Sequence, residues 1–368
     1  MPHLGGVEKF SQSIAAELSK NSHVTVFCMN TEGQPAFKRE GNVDVHFLPC
    51  YSLLNGRFPV PKLSAVQFVR KWFRQNRVDF GIVQCRFYLL SLLGCKVLSD
   101  HKVPFIQIEH GAGEVFMPNA FVEWGWHLYD GLLTNLEKRI PHDYYAVSHA
   151  GLRWLELYGI QGKGVISNSI APADFDDALR TAGRWRKKHG IAENALIITF
   201  TGRIMKEKGI LDLLEAFDRL QGNDLFLVAA GGGDMKLVEP WQGRKNILFP
   251  GQLSFDEIPD LLADTSIFCL PSRFVEGKPT SVLEAGYCGN AVVSANSGGT
   301  TEIIPDESCG ILISAGDIPA LTDALQRLVN HPEERQLMGR NLHQRVAEQF
   351  TWATAAREVH KAMRDCGL

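Results

Sequence analysis

Short β-branched runs alternate with helical patterns along the whole chain, and this alternation constrains the fold more than any other feature of the sequence. In the first half the strand-type runs are 23–28, 43–48, 79–84, 104–108, 144–147 and 164–166. In the second half they are 196–201, 225–230, 246–249, 266–270, 291–294 and 310–313. Strands separated by helix-length segments run in the same direction, and the helices cover both faces of the resulting sheet. The pattern therefore predicts an α/β protein with two doubly wound domains. The break falls in 168–186, which holds no strand-type run and leads into the second alternation.

The chain is long enough for that reading. Its 368 residues, 45% hydrophobic and 21% charged, suffice for two cores. A formal net charge of -3 gives no electrostatic case for binding nucleic acid. The eight cysteines are scattered without a C-x-x-C pair, several of them in apolar runs, and read as reduced, mostly buried thiols of a cytoplasmic protein. No signal peptide or spanning helix is visible; the longest apolar stretch, 87–98, contains Gly94 and Lys96 and reads as a core helix. Internal repeats and low-complexity tracts are absent.

Chemistry concentrates in Phe274-Val-Glu-Gly-Lys-Pro-Thr-Ser-Val-Leu-Glu-Ala-Gly286, where seven residues separate Glu276 from Glu284. An apolar strand ends at Pro271-Ser272, Gly277 and Pro279 stiffen a loop, and a helix is expected to begin near Thr280 or Ser281. Glu276 then sits on the loop and Glu284 in the first helical turn. The N–H groups of that turn, from Ser281 through Val282 and Leu283, have no partner within the helix and attract an anion. Carboxylates accept hydrogen bonds from vicinal hydroxyls, so a diphosphate joined to a ribose and a hexose fits between the two glutamates. Ser281-Val-Leu-Glu284 also spells a capping box, in which Glu284 would bond back to the helix cap instead.

In open α/β sheets ligands bind beyond the carboxyl ends of the strands. Gly202-Arg203 follows the run 196–201 directly, and Lys206, Lys208 and Gly209 precede the next helix. Arg203 and Lys208 are placed to neutralise a diphosphate leaving group; the alternative is a solvated basic loop. His110 follows the run 104–108 and precedes Gly111-Ala-Gly113, although a lone histidine is more often structural. Gly5-Gly6 and Gly298-Gly299-Thr300 read as helix starts that offer backbone N–H groups.

Glu276 to Glu284, with Gly277, Pro279 and the Glu284-Ala-Gly286 continuation, resembles the E-x7-E signature of the retaining glycosyltransferases of family 4, which have the GT-B fold. Further pieces stand in the order of that family: Gly5-Gly6-Val7-Glu8, His110-Gly111, Ala146-Val-Ser148, Gly202-Arg203 with Lys208-Gly209, Gly298-Gly299-Thr300 with Glu302, and Phe350-Thr-Trp352. The resemblance covers nearly the whole chain. It implies two Rossmann-like domains facing across a cleft: an acceptor-side domain of residues 1–168, completed by a helix in 351–368, and a nucleotide-sugar domain of residues 169–350. It implies transfer of a sugar from a nucleotide-diphosphate sugar to a glycan or lipid-linked acceptor with retention, as in bacterial surface polysaccharide or lipopolysaccharide synthesis. Glu276, His110, Arg203 and Lys208 are its catalytic candidates. Gly6, Gly277, Lys278, Pro279, Ser281, Val282, Leu283 and Glu284 are its donor-binding candidates, with Glu284 on the ribose, and no metal or other cofactor is expected.

Four signals compete or depart. Asp174-Phe-Asp176 spells a metal-binding D-x-D, yet it lies in the interdomain connection and reads better as a surface helix start. Val69-Arg-Lys-Trp-Phe-Arg74 mixes basic and aromatic residues and offers a peripheral contact with the inner face of a membrane; its alternative is an amphipathic helix with the aromatics in the core. Asn168-Ser169 stands where the family has asparagine-glycine, and only Met1 to Leu4 precede Gly5-Gly6, where the family has a first strand and its loop. The expectation is a first domain short of a central strand, with either a start upstream of Met1 or a truncated chain. The readings from other classes are a GT-B nucleotide-sugar epimerase and a non-catalytic sugar-nucleotide-binding protein.

Overall fold

A computed structural model describes residues 6–53, 58–114, 120–222 and 224–368. The chain divides into two compact units, Met1–Ser167 with Trp352–Leu368, and Asn168–Thr351. Met1 to Gly5, and with them the first glycine of Gly5-Gly6, lie outside the described residues.

The first unit opens with α1 (Gly6–Leu18), β1 (Val24–Met29), β2 (Phe37–Glu40), β3 (Val43–Leu48) and the hairpin β4 (Cys50–Leu53) and β5 (Phe58–Pro61). It continues through α2 (Leu63–Gln75), β6 (Gly81–Gln84), α3 (Leu89–Asp100), β7 (Phe105–Glu109), α4 (Ala120–Glu137), β8 (Asp143–Ala146), α5 (His149–Glu156) and β9 (Gly164–Val165). Its strands do not form one sheet. β1 pairs parallel with β3, which carries the antiparallel β2, while β6, β7, β8 and β9 form a separate parallel sheet in chain order. Among the described residues β1 and β6 each keep one edge without a strand partner. The sequence pattern missed β2 and the β4–β5 hairpin because four-residue strands with Pro, Arg and Glu carry little β-propensity.

Helices α2 and α3 bridge the two sheets: Phe27 and Leu48 of the first pack with Val69, Leu93 and Val97, and Phe73 also reaches the cluster of Val83 and Phe105. The rings of Trp72 and Phe73 lie 5.2 and 6.1 Å from Phe27. The aromatic residues on which a membrane reading of Val69 to Arg74 rested are therefore committed to packing. That reading of α2 is corrected in favour of an amphipathic helix turned to its own core.

The second unit runs through α6 (Ala173–Arg180), α7 (Arg184–His189), β10 (Leu196–Thr201), α8 (Ile210–Phe217), β11 (Leu225–Ala230), β12 (Ile247–Gly251), α9 (Glu257–Ala263), β13 (Ile267–Leu270), α10 (Thr280–Tyr287), β14 (Ala291–Ala295), α11 (Thr300–Ile303), β15 (Ile311–Ile313), α12 (Ile318–Asn330) and α13 (Pro332–Gln349). One six-stranded parallel sheet results, ordered β12-β11-β10-β13-β14-β15. Both faces are buried, as a sheet covered by helices requires. In β10, Ile198 and Phe200 enter the larger core with β13, α8 and α10, while Ile197 faces Trp185 and Leu261 on the other side. The strand order reverses between β10 and β13, so the crevice at that switch point opens beyond the ends of these two strands. The last helix, α14 (Trp352–Asp365), returns to the first unit, where the Trp352 ring meets Phe10 edge-on at 5.4 Å.

Candidate functional site

The two loops that leave the switch point of the second unit are the ones singled out by composition. After β10 the chain runs through Gly202 and Arg203 into a single 3-10 turn, Lys206–Lys208, which Gly209 closes at φ +73° before α8 begins. A Cβ at Gly209 would stand 2.0 Å from the Pro271 carbonyl oxygen, so the two loops touch through backbone that only glycine permits. Arg203 is exposed at the strand end and forms no ion pair among the described residues.

After β13 the loop hangs from that 3-10 turn: the N–H groups of Arg273 and Phe274 donate to the Glu207 carbonyl at 2.8 and 3.1 Å. Glu276 is buried on this loop. One carboxylate oxygen accepts from Lys208 Nζ at 2.6 Å and from Ser272 Oγ at 2.8 Å. Its main chain is held as firmly, since Gly299 N donates to the Glu276 carbonyl at 2.9 Å. Lys208 and Glu276, 68 positions apart, thus form one charge pair at the mouth of the crevice.

Helix α10 begins at Thr280, with Pro279 as the cap residue and no side-chain cap bond. The capping box is therefore not formed, because Ser281 lies inside the helix and not at its cap. Glu284, expected in the first turn, is the fifth helical residue and opens the second; it is buried. Val282 and Leu283 are wholly buried, and their N–H groups, expected to be without a partner inside the helix, both donate to the Pro279 carbonyl at 3.2 and 3.4 Å. The Lys278 ammonium turns inward to Glu302 at 3.0 Å and lies over the Phe350 ring, and the Lys278 carbonyl accepts from Asn168 Nδ2 at 2.7 Å. Burial pulls its pKa down against the opposing pull of Glu302. Any donor contact of Lys278 falls to its N–H, and Asn168 acts as a tie for the loop.

In the first unit, His110 follows β7, half-buried, with its Nε2–H donating to Gln84 Oε1 at 2.6 Å and the Phe10 ring edge-on at 4.8 Å. Burial lowers its pKa to about 3, so the imidazole is neutral at ordinary pH. Glu109 sets the turn: one of its carboxylate oxygens accepts from His110 N at 2.9 Å and Gly111 N at 2.8 Å. Ser148 caps α5 by accepting from Gly151 N, which gives the Ala146-Val-Ser148 motif a structural role. Gly6 opens α1 with open space around its Cα. Asp174 and Asp176 stand in the first turn of α6, where Asp176 accepts from Tyr287 OH at 2.8 Å and the intervening Phe175 is buried. The D-x-D thus serves packing and a helix start. All eight cysteines are free thiols.

Sequence reasoning missed the supports of the site. Asp212, an acid inside the apolar run of α8, is buried and takes Arg273 as a two-pronged pair at 2.7 and 2.8 Å. An acid on an otherwise apolar helix face is a signal that could have been read. Ser272, Glu109 and Gln84 gave none, because a polar residue at a strand end carries no pattern that names its partner.

Comparison with known proteins follows the same division. Residues 182–345 match the family described as Glycosyl transferases group 1, and residues 4–173 match Glycosyltransferase Family 4. An uncharacterized glycosyltransferase of Methanocaldococcus jannaschii is 24% identical over 98% of this chain and 95% of its own length. A GDP-mannose-dependent monoacylated alpha-(1-6)-phosphatidylinositol monomannoside mannosyltransferase of Corynebacterium glutamicum is 25% identical over 95% of this chain and 92% of its own. Among solved structures, Anabaena HepE in complex with UDP-glucose is similar in fold, with a TM-score of 0.76, 17% identity, and coverage of 99% and 97%.

Proposed function

The chain belongs to family 4 of the GT-B glycosyltransferases, and on that footing we propose that it moves a hexose from a nucleotide-diphosphate sugar to a glycan or lipid-linked acceptor with retention of configuration. The observation that carries this reading is the convergence of Arg203, Lys208 and Glu276 on the two loops that leave the switch point between β10 and β13. Arg203 and Lys208 balance the charge that grows on the diphosphate as the glycosidic bond breaks, with the N-terminus of α10 as a third donor set. Glu276 is held by Lys208 and Ser272 in one orientation and accepts from sugar hydroxyls; Glu284 does so from the ribose.

In the step itself the anomeric carbon–oxygen bond breaks and its electron pair stays on the diphosphate. The acceptor oxygen bonds to the anomeric carbon on the same face, and its proton passes to the departing phosphate oxygen. No side chain is needed as base. His110, neutral and fixed by Gln84, is suited to a hydrogen bond with a hydroxyl and not to charge compensation. Two cations serve where other transferases use a divalent ion, so transfer is expected to persist in excess chelator. Lipid-linked acceptors are in keeping with the relative named for a phosphatidylinositol mannoside.

A thermal-shift titration with a panel of nucleoside diphosphates and nucleotide sugars tests the reading, since selective binding raises the unfolding temperature by mass action. One donor should give a shift that Arg203→Ala and Glu284→Ala remove. Glu276→Ala should keep most of the shift and lose roughly 10²-fold or more in turnover, the scale of removing one aligned charge-stabilising group. No shift with any nucleotide, or unchanged turnover in E276A, would refute it.

A further inference from the structure

Buried charge in the first unit gathers around one arginine. Arg86 lies just beyond β6 and is 2% exposed; its guanidinium donates to both carboxylate oxygens of Asp130 on α4, at 2.6 and 3.1 Å, and to Thr134 at 2.6 Å. It stands 3.5 Å from the centre of the Tyr158 ring, whose hydroxyl donates to the same Asp130 at 2.7 Å. On its remaining side, Arg86 Nε is 3.2 Å from Glu109 Oε2. These two atoms attract by charge without an aligned hydrogen bond, and neither has another such partner among the described residues. Asp130 already balances the arginine, so Glu109 is a second acid that it compensates only in part; burial pushes the Glu109 pKa up while Arg86 opposes. Buried ion pairs add little or nothing to stability compared with apolar side chains of the same volume. What this one does is visible at the next two residues.

The other oxygen of Glu109 accepts from the N–H groups of both His110 and Gly111, at 2.9 and 2.8 Å, and a Cβ at Gly111 would come within 3.3 Å of it. A carboxylate that takes two backbone N–H groups fixes the direction in which the chain leaves β7. The imidazole is gripped from the same stretch as the backbone, because Gln84, on the other side of Cys85 from Arg86, bonds His110 Nε2 at 2.6 Å. Cys85 itself has φ +57°, with its N–H on the Ile108 carbonyl at 2.8 Å and its own carbonyl accepting from Gln107 Nε2 at 2.9 Å. A left-handed residue with a side chain persists only where its surroundings overdetermine it. Here it lies between the residue that reaches the ring and the residue that reaches the carboxylate.

We infer that Arg86 is a positioning residue for His110 and acts through Glu109: its guanidinium holds the carboxylate toward the two N–H groups, and so presets the imidazole for a sugar hydroxyl. The inference rests on the sugar-transfer reading for what His110 does, and on the first unit alone for how it is held. Two variants of the full chain test it without stranding Asp130. Glu109→Met leaves Arg86 paired with Asp130, and Arg86→Met with Asp130→Leu removes that pair and leaves Glu109 free to take up a proton. In wild type with isotope-labelled histidine, long-range proton–nitrogen spectra should show His110 as one tautomer, with its hydrogen on Nε2. Both variants should average the two tautomers, keep the thermal shift given by the donor, and turn over roughly 10²-fold more slowly, the scale of a reacting group slightly out of place. If the double variant does not fold, Arg86→Lys, which keeps a charge for Asp130 without the fork that also reaches Glu109, should give the same readings. Variants that melt lower yet retain the single tautomer and wild-type turnover would make the cluster purely structural and overturn the inference. So would averaging in Glu109→Met alone, because Arg86 would then play no part. A wild type that answers to no nucleotide refutes the sugar-transfer reading, while the His110 spectra still decide how the ring is held.

Discussion

Gly298 sits at φ +57°, and a Cβ there would stand 1.9 Å from the Glu276 carbonyl oxygen. One residue type thus sets both the turn and the close approach that holds the Glu276 backbone. Gly298→Ala should cost roughly 1–3 kcal/mol from the left-handed conformation alone, and must also push Glu276 out of line. Urea unfolding and donor affinity measured on the same variant check it: both should fall, and a loss of stability without weaker donor binding would separate the turn from the site. Lys208 and Glu276 share one bond at 2.6 Å, so their effects on turnover should not add. Lys208→Ala in an E276A background is expected to cost much less than in the wild type, as a double-mutant cycle would reveal.

At the scale of the element, α4 buries two acids, Asp130 and Glu137. Arg86 answers Asp130 and Glu109, which leaves Glu137 as a third acid in the same interior, and burial pushes its pKa from 4.5 up to about 9, with Gln107 and Arg86 opposing. The folded chain therefore holds a proton that the unfolded chain has lost. The contribution of Glu137 to stability is fullest below about 4.5 and declines as pH rises toward 9, the direction linkage requires when the native state binds more protons. Glu137→Gln keeps the neutral form at every pH. It should raise the unfolding midpoint at pH 8, by roughly 2–4 °C for each kcal/mol regained, and flatten the decline measured in thermal scans between pH 5 and 9. Helix α10 teaches the opposite lesson about local reading. A capping box is spelled in Ser281 to Glu284, yet the helix has its cap at Pro279, two residues earlier than that motif needs.

The whole molecule consists of two compact units joined by two crossings of the chain. Units with separate cores unfold as separate cooperative transitions when their stabilities differ. Calorimetry of the full chain with and without the donor nucleoside diphosphate should move the transition of the second unit, which carries Arg203, Lys208 and Glu276, more than that of the first. Equal displacement of both would mean that the nucleotide draws on both units. The parallel sheet of the second unit was legible from its sequence because every strand is buried on both faces: runs such as Leu196 to Thr201 and Ile267 to Leu270 need no partner to be recognised. Glu276, Arg203 and Lys208 were singled out by their place beyond apolar strands together with the resemblance of their motifs to the family, since a basic loop in that place reads equally as solvated surface. Composition alone also determined the absence of disulfide frameworks and of a spanning helix among the described residues. What only the tertiary structure decided is which groups meet across long stretches of chain. Lys278 found Glu302 and Asn168 and turned away from the surface, Asp212 found Arg273, and the strands of the first unit separated into two sheets. The faces of α4 were decided in the same way. Asp130 turns inward because it meets the buried Arg86, 44 positions away just beyond β6.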